Sequence, residues 1–259
     1  MRLGKILIPL TGADSDQRVL RIGLNTAKRY GSHVQCLFVN RNPTDALPIA
    51  GEALTGQIAT ELVNAVSEAN KRQSGRAKEA FLRALQEAGV EESAVQPGKN
   101  KATAAFSETM GDPAERTAVA ARLADMTLFP VSDFAYEIEP TLMEAQRPCL
   151  LVPTESSLQI GKKVMIAWDS GPEAARALSG ALPLLEEAAE VTVVTAQNRK
   201  MDAFAMDSLQ SYLSCHGITV RAKQVPLGSA PVGQVILATA ADLGADLLIM
   251  GAYGHSRIR

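Results

Sequence analysis

The sequence predicts an α/β protein built as two doubly wound domains in tandem. Each is a five-stranded parallel sheet flanked by helices, and the second lacks its closing strand. Three observations predict it. Short apolar runs alternate with amphipathic stretches along the whole chain, the pattern of repeated strand–helix–strand units. The alternation is read twice, opening first at "KILIPLT" and again at "KKVMIAWDSGPEA". Each reading is as long as an ordinary domain, which marks a tandem duplication rather than a solenoid. The seam falls near "VPTESSLQIGKK", a Pro-, Ser- and Gly-containing linker, so the expected domains are 1–155 and 156–259.

In the first copy, Lys5 to Thr11 reads as a strand that ends at the turn signal "GADSD". Val19, Leu20, Ile22, Leu24 and Ala27 then mark an amphipathic helix. "VQCLFVN", from Val34, is the second strand, and a long helix follows from about Thr55 to Ala88, with a weak point at Ser74-Gly75. "TAAFSETMGDP" reads as a third strand closing on glycine, with Pro113 opening the next helix. "AERTAVAARLADMTLFPVSD" supplies that helix and a fourth strand, and "RPCLLVP", Arg147 to Pro153, a fifth.

The second copy repeats the order. A strand from Lys162 precedes a helix with Ala174, Ala177, Leu178, Ala181 and Leu185 on one stripe. "EVTVVTAQ" from Glu190, a helix from about Met201 to Cys215, "TVRAKQVPLGSAP" and "VGQVILATAADLGADLLIMGAYG" complete it. Nothing before Arg259 matches "RPCLLVP". The expectation is a sheet with one edge exposed, in a natural chain that is longer, or whose tail was removed or never formed.

Composition excludes several classes of function. A net charge of −2 leaves no basic footprint for nucleic acid or a membrane surface. Scarce aromatic residues argue against base-stacking platforms. The opening apolar run is too short for a signal peptide, and no other is long enough to span a bilayer. Cys36, Cys149 and Cys215 are far apart and form no C-x-x-C pair, so reduced thiols in a cytoplasmic protein are expected. No H-E-x-x-H, Walker lysine or nucleophile elbow is present, and Cys215 and His216, though sequence neighbours, sit late in a predicted helix where adjacent side chains diverge, so no catalytic residue and no metal ligand is assigned.

Ligands of open α/β sheets bind outside the carboxyl ends of the strands, where strand order reverses. Two such ends in the second copy are equipped for this. Asp169, ending the first strand, can accept hydrogen bonds from a ribose or an amino group. Met250-Gly251-Ala252-Tyr253-Gly254-His255-Ser256, ending the fourth, offers glycines that bring backbone N–H groups close to an anion. Each feature alone has a plainer explanation. G-x-x-G is most often a turn, Asp169 a helix N-cap, and His255 and Ser256 solvated loop residues. Trp168, the only tryptophan, points opposite to Asp169 by strand alternation and is most simply core, and Met250 is core by default. The combination at two strand ends of one domain carries the functional reading.

"KKVMIAWDSGPEAARAL" followed much later by "ADLLIMGAYGHSRIR" resembles the universal stress protein family, and the resemblance covers nearly the whole chain as two family domains in tandem. "RPCLLVP" resembles that family's closing strand. The resemblance implies a fold of the adenine-nucleotide-binding type, ATP as ligand, with Mg as an accompanying ion, a regulatory role in the stress response and no catalytic constellation, so at most weak ATP hydrolysis. Asp169 matches the carboxylate near the nucleoside, and Ala167 and Ala196 match positions beside the base. Met250, Gly251 and Gly254 match the phosphate loop, with His255 and Ser256 adjoining it. The family's third glycine and its hydroxyl partner are expected beyond Arg259.

The first copy departs from this pattern. Thr11 stands where Asp169 stands, Pro130 replaces Gly251 and Asp133 replaces Gly254. Pro130 removes a donor and Asp133 sets a negative charge against phosphate, so this copy is expected to be degenerate. The chain is thus expected to be an ATP-binding protein whose two halves pair as an intramolecular pseudo-dimer, with homodimerisation open. The alternative is an interaction scaffold of the same fold that binds no nucleotide.

Overall fold

The computed structural model describes residues 3–47, 56–94, 101–131, 135–153, 155, 159–196 and 203–252. These fall into two compact units, Arg2–Leu158 and Gln159–Arg259. Among the described residues no helix is long and apolar enough to cross a membrane.

The first unit runs β1 (Lys5–Leu10), α1 (Ser15–Tyr30), β2 (His33–Asn40), α2 (Gly56–Ala88), β3 (Glu91–Glu92), β4 (Thr103–Met110), α3 (Pro113–Ala121), β5 (Met126–Pro130), α4 (Ala135–Pro140) and β6 (Cys149–Val152). Its sheet is ordered β3-β4-β2-β1-β5-β6, and every pairing is parallel. The chain steps outward from β1 through β2 to β4, then returns to the other side of β1, so the order reverses between β1 and β5. The sequence reading of five strands omitted β3. Only two residues long, Glu91–Glu92 is exposed and charged and carries no apolar signal.

The sheet is covered on both faces because its strands are apolar on both. Ile8 packs against α1 at Gly23, with Ile6 on the same face of β1, while Leu7 and Leu37 pack with Ala121, Ala124 and Ala145 on the opposite side. Burying each such aliphatic side chain stabilises the fold by about 1.5–3 kcal/mol. The weak point at Ser74-Gly75 does not break α2. Ser74 lies on the buried stripe with Asn70, Ala77, Phe81, Ala84 and Leu85, and Gly75 faces outward with open space around it. Tertiary packing of the stripe outweighs the glycine's modest helix penalty of about 1 kcal/mol.

The second unit runs β7 (Lys163–Ala167), α5 (Pro172–Leu185), β8 (Glu190–Ala196), α6 (Ala203–Cys215), β9 (Arg221–Val225), α7 (Val232–Asp242) and β10 (Leu247–Met250). Its sheet is ordered β10-β7-β8-β9, again wholly parallel, with the reversal between β7 and β10. β10 therefore forms one edge of this sheet, in the position that β5, flanked by β6, occupies in the first.

A shared device fastens the amino ends of both sheets. Asp125, before β5, accepts hydrogen bonds from Gly4 N–H (2.8 Å) and Lys5 N–H (2.9 Å). Asp246, before β10, accepts from Gly161 N–H (2.9 Å), Lys162 N–H (3.1 Å) and Lys163 N–H (3.2 Å). The same carboxylate at the same point of each copy is what a duplication of one domain would leave.

Candidate functional site

β7 and β10 are paired so that Ala167 lies opposite Met250, which brings the carboxyl ends of both strands to one place at the reversal of strand order. Asp169 stands two residues beyond one end and Gly251 one residue beyond the other. β8 pairs with β7 on its other side, Ala167 opposite Val194, and Ala196 ends β8. Ala167, Asp169, Ala196, Met250 and Gly251, widely separated in sequence, thus share one edge of the sheet. Gly254, His255 and Ser256 lie outside the described residues, as does Asp133 of the first copy.

Local chemistry fixes the loop after β7. Asp169 does not cap α5. The N-cap is Gly171, without a side-chain cap bond, and Pro172 opens the helix. The Asp169 carboxylate instead accepts from Gly171 N–H at 2.8 Å, closing a tight turn over Ser170, whose φ of 64° is left-handed. The turn leaves the Asp169 carboxylate at the exposed rim of the sheet.

Gly251 is required by close packing. A Cβ there would lie 2.7 Å from the Ala174 nitrogen and 3.0 Å from Glu173 atoms, so the chain leaving β10 rests on the first turn of α5. Glu173 in that turn is paired with Arg176 at 3.3 Å. Two expectations about neighbouring side chains are corrected. Met250 is 46 % exposed rather than core, because β10 is an edge strand. Trp168 is half-buried, and its indole Nε1 is shielded from solvent without a hydrogen-bond partner among the described residues. Thr195 on β8 carries a buried hydroxyl in the same condition. Neither polar atom was singled out from the sequence, where a tryptophan and a threonine in apolar strands read as packing.

The corresponding loop of the first unit is closed. Asp16, 1 % exposed, accepts from Gly12 N–H (2.7 Å) and from Thr11 N–H (3.2 Å). α2 lies on the same loop, since a Cβ on Gly12 would collide with the Gln73 carbonyl oxygen. The donors at this strand end are engaged by the protein's own carboxylate, and Pro130 ends β5. Elsewhere in this unit a cavity of about 520 Å³ opens between the start of α1 and the ends of β5 and β6, lined in part by Arg18, Val19, Arg21, Pro130 and Val152. Its mixed walls do not match the second-unit edge, for Asp14 shares them and Arg21 is paired with Glu87 at 2.8 Å. Volume alone therefore does not identify the site, and strand topology is the better guide.

No protein-family model matches the chain. It is 23 % identical over 268 residues to a universal stress protein of Synechocystis, an alignment spanning 98 % of this chain and 91 % of the relative. The universal stress protein structure from Archaeoglobus fulgidus superposes with a TM-score of 0.66 at 16 % identity, covering 96 % of this chain and 87 % of that one. A Pseudomonas aeruginosa structure assigned to the same proteins gives a TM-score of 0.54 at 14 % identity, covering 99 % and 84 %. The likeness to tandem universal stress proteins therefore runs the length of the chain, and the fold is theirs.

Proposed function

From a chain that resembles the tandem universal stress proteins throughout and shares their fold, we propose a regulatory protein of the stress response that binds an adenine nucleotide in its second unit. ATP, accompanied by Mg, is the nucleotide of this reading. The observation that carries it is the meeting of Asp169 and Gly251 at adjacent strand ends where the strand order reverses. There the carboxylate accepts hydrogen bonds from ribose hydroxyls or the base, and the glycine loop admits phosphate against backbone N–H groups. Asp169 and Glu173 make this rim negative, which Mg bound with the phosphates would offset. The reading assigns no catalytic residue: turnover beyond slow hydrolysis is not part of it. It also makes the protein cytoplasmic, with its thiols reduced.

The test is isothermal titration of the protein with ATP and with AMP, each with and without Mg, beside Asp169→Ala. Saturable binding that Asp169→Ala weakens at least tenfold supports the reading. Absence of binding by the parent protein, or binding indifferent to the substitution, overturns it.

A second reading, a scaffold of this fold without nucleotide, is favoured by the packing of Gly251 on α5. That contact accounts for the glycine with no ligand, and the same titration separates the two readings.

A further inference from the structure

We propose that a second copy of this chain docks, about a twofold axis, on the outer face that α3 shares with the π-helical turn Thr141–Ala145. Ala121 of α3 and Ala145 of the turn pack inward with Leu7, so the two segments lie side by side on the sheet and turn their other faces to solvent.

Three large apolar side chains stand on that outer surface. Leu123, just past the end of α3, is 80 % exposed. Val119, one helical turn before it on the same side, and Met143 of the π turn are exposed as well. Single apolar residues on a surface are ordinary, whereas a group of them marks a contact. The fold itself does not call for these. Leu123 stands two residues before the Asp125 clasp, and the residue two before Asp246 is Gly244, a left-handed helix end with a φ of 60° that presents no side chain. Met143 is carried outward by a π turn, a rare form that gathers at functional sites.

An ion pair at the centre of the patch selects the occupant. Arg122 Nη2 lies 3.4 Å from the Glu144 carboxylate, with both side chains about half exposed, and Leu123 and Met143 are their neighbours in sequence. A twofold interface joins one patch to itself, so every contact across it is made twice. An apolar patch bearing one positive and one negative group is complementary to its own copy. Arg122 can pass to the partner's Glu144 while the partner's Arg122 passes to Glu144 in return, and no charge is left unpaired. The exchange gives up little, because an exposed ion pair contributes little by itself. A partner of one charge, such as a nucleic acid or an anionic membrane, finds no net charge here to hold it.

The experiment is sedimentation velocity of the full chain over a wide concentration range, beside Leu123→Lys, Arg122→Glu and Glu144→Arg. The parent is expected to double in mass as concentration rises, and Leu123→Lys to weaken the dimer by about tenfold or more. Arg122→Glu and Glu144→Arg each set like charges against one another across the axis and are expected to sediment as monomers. Mixed in equal amounts, the two are expected to form a dimer again, since every charged contact across the axis then joins opposite signs. The substituted side chains are all exposed, and thermal unfolding checks that each variant keeps the fold. A parent that stays monomeric, a dimer unmoved by Leu123→Lys, or a mixture of the two charge variants no heavier than either alone overturns the proposal.

Discussion

Glu137 holds a carboxyl out of water at 6 % exposure, with Oε2 unpartnered among the described residues. Burial raises its pKa above the usual carboxylate value. The residue's own backbone N–H and Arg41 oppose the shift, and Asp112 adds to it. A raised acid pKa means that the folded chain keeps a proton that the unfolded chain has released. Glu137 therefore favours folding most below its unfolded pKa, and this contribution falls as pH rises through the folded value. Glu137→Gln, which keeps the shape without the titration, is expected to be more stable than the parent at neutral pH and no more stable near pH 4. Urea denaturation at the two pH values checks this, and an equal difference at both would sink it. His33 acts in the opposite direction. Burial, then the charge of Lys5, lowers its pKa, and its ring is bonded to the Thr103 hydroxyl at 2.9 Å. The unfolded chain takes up this proton first, so stability from His33 is lost as pH falls below the unfolded histidine value.

Between elements, the fold depends on a few close approaches that no side chain could share. Gly12 has a φ of 78° and lies against the backbone of α2 at Gln73. Gly12→Val combines a left-handed backbone with a collision that only a shift of the helix relieves, and should cost roughly 3 kcal/mol. The loss is read from the denaturation midpoint, and a value below about 1 kcal/mol would mean that α2 does not press on this loop. The carboxylate clasps make a paired prediction. Asp246→Ala frees three backbone N–H groups at the start of β7, and Asp125→Ala frees two at the start of β1. Each is expected to cost about 2 kcal/mol, discounted for partial exposure. Hydrogen exchange should quicken first at those amides; unchanged exchange there would count against the clasp.

At the scale of the molecule, the two copies have diverged in how their strand ends are finished. The first fills its β1 loop with Asp16 and covers it with α2, and the second leaves Asp169 exposed beside the Gly251 loop. Titration is accordingly expected to give at most one nucleotide per chain, lost with Asp169 and insensitive to Pro130→Gly. A stoichiometry of two equivalent sites would refute the assignment of unequal copies.

The sequence by itself determined the α/β class, the presence of two parallel sheets and the course of nearly every strand and helix. These follow from local signals, apolar runs of strand length, helical stripes and Pro or Gly at their ends, which need no knowledge of distant contacts. It missed β3, whose pairing with β4 depends on neighbours and not on its two exposed glutamates, and the short α4, which ends on a proline. It also placed a weak point in α2 that packing overrides. Of the candidate site, the strand ends and Asp169 were legible because ligands of this class of sheet gather there. Only the tertiary structure decided that Asp169 closes a turn instead of capping α5, that Gly251 is a packing glycine and that Met250 stands on an edge. The Asp169–Gly171 turn is local but depends on geometry that composition does not announce; the other two are relations between residues far apart in the chain, and the register of β7 with β10 that fixes them is set by the packing of the whole sheet.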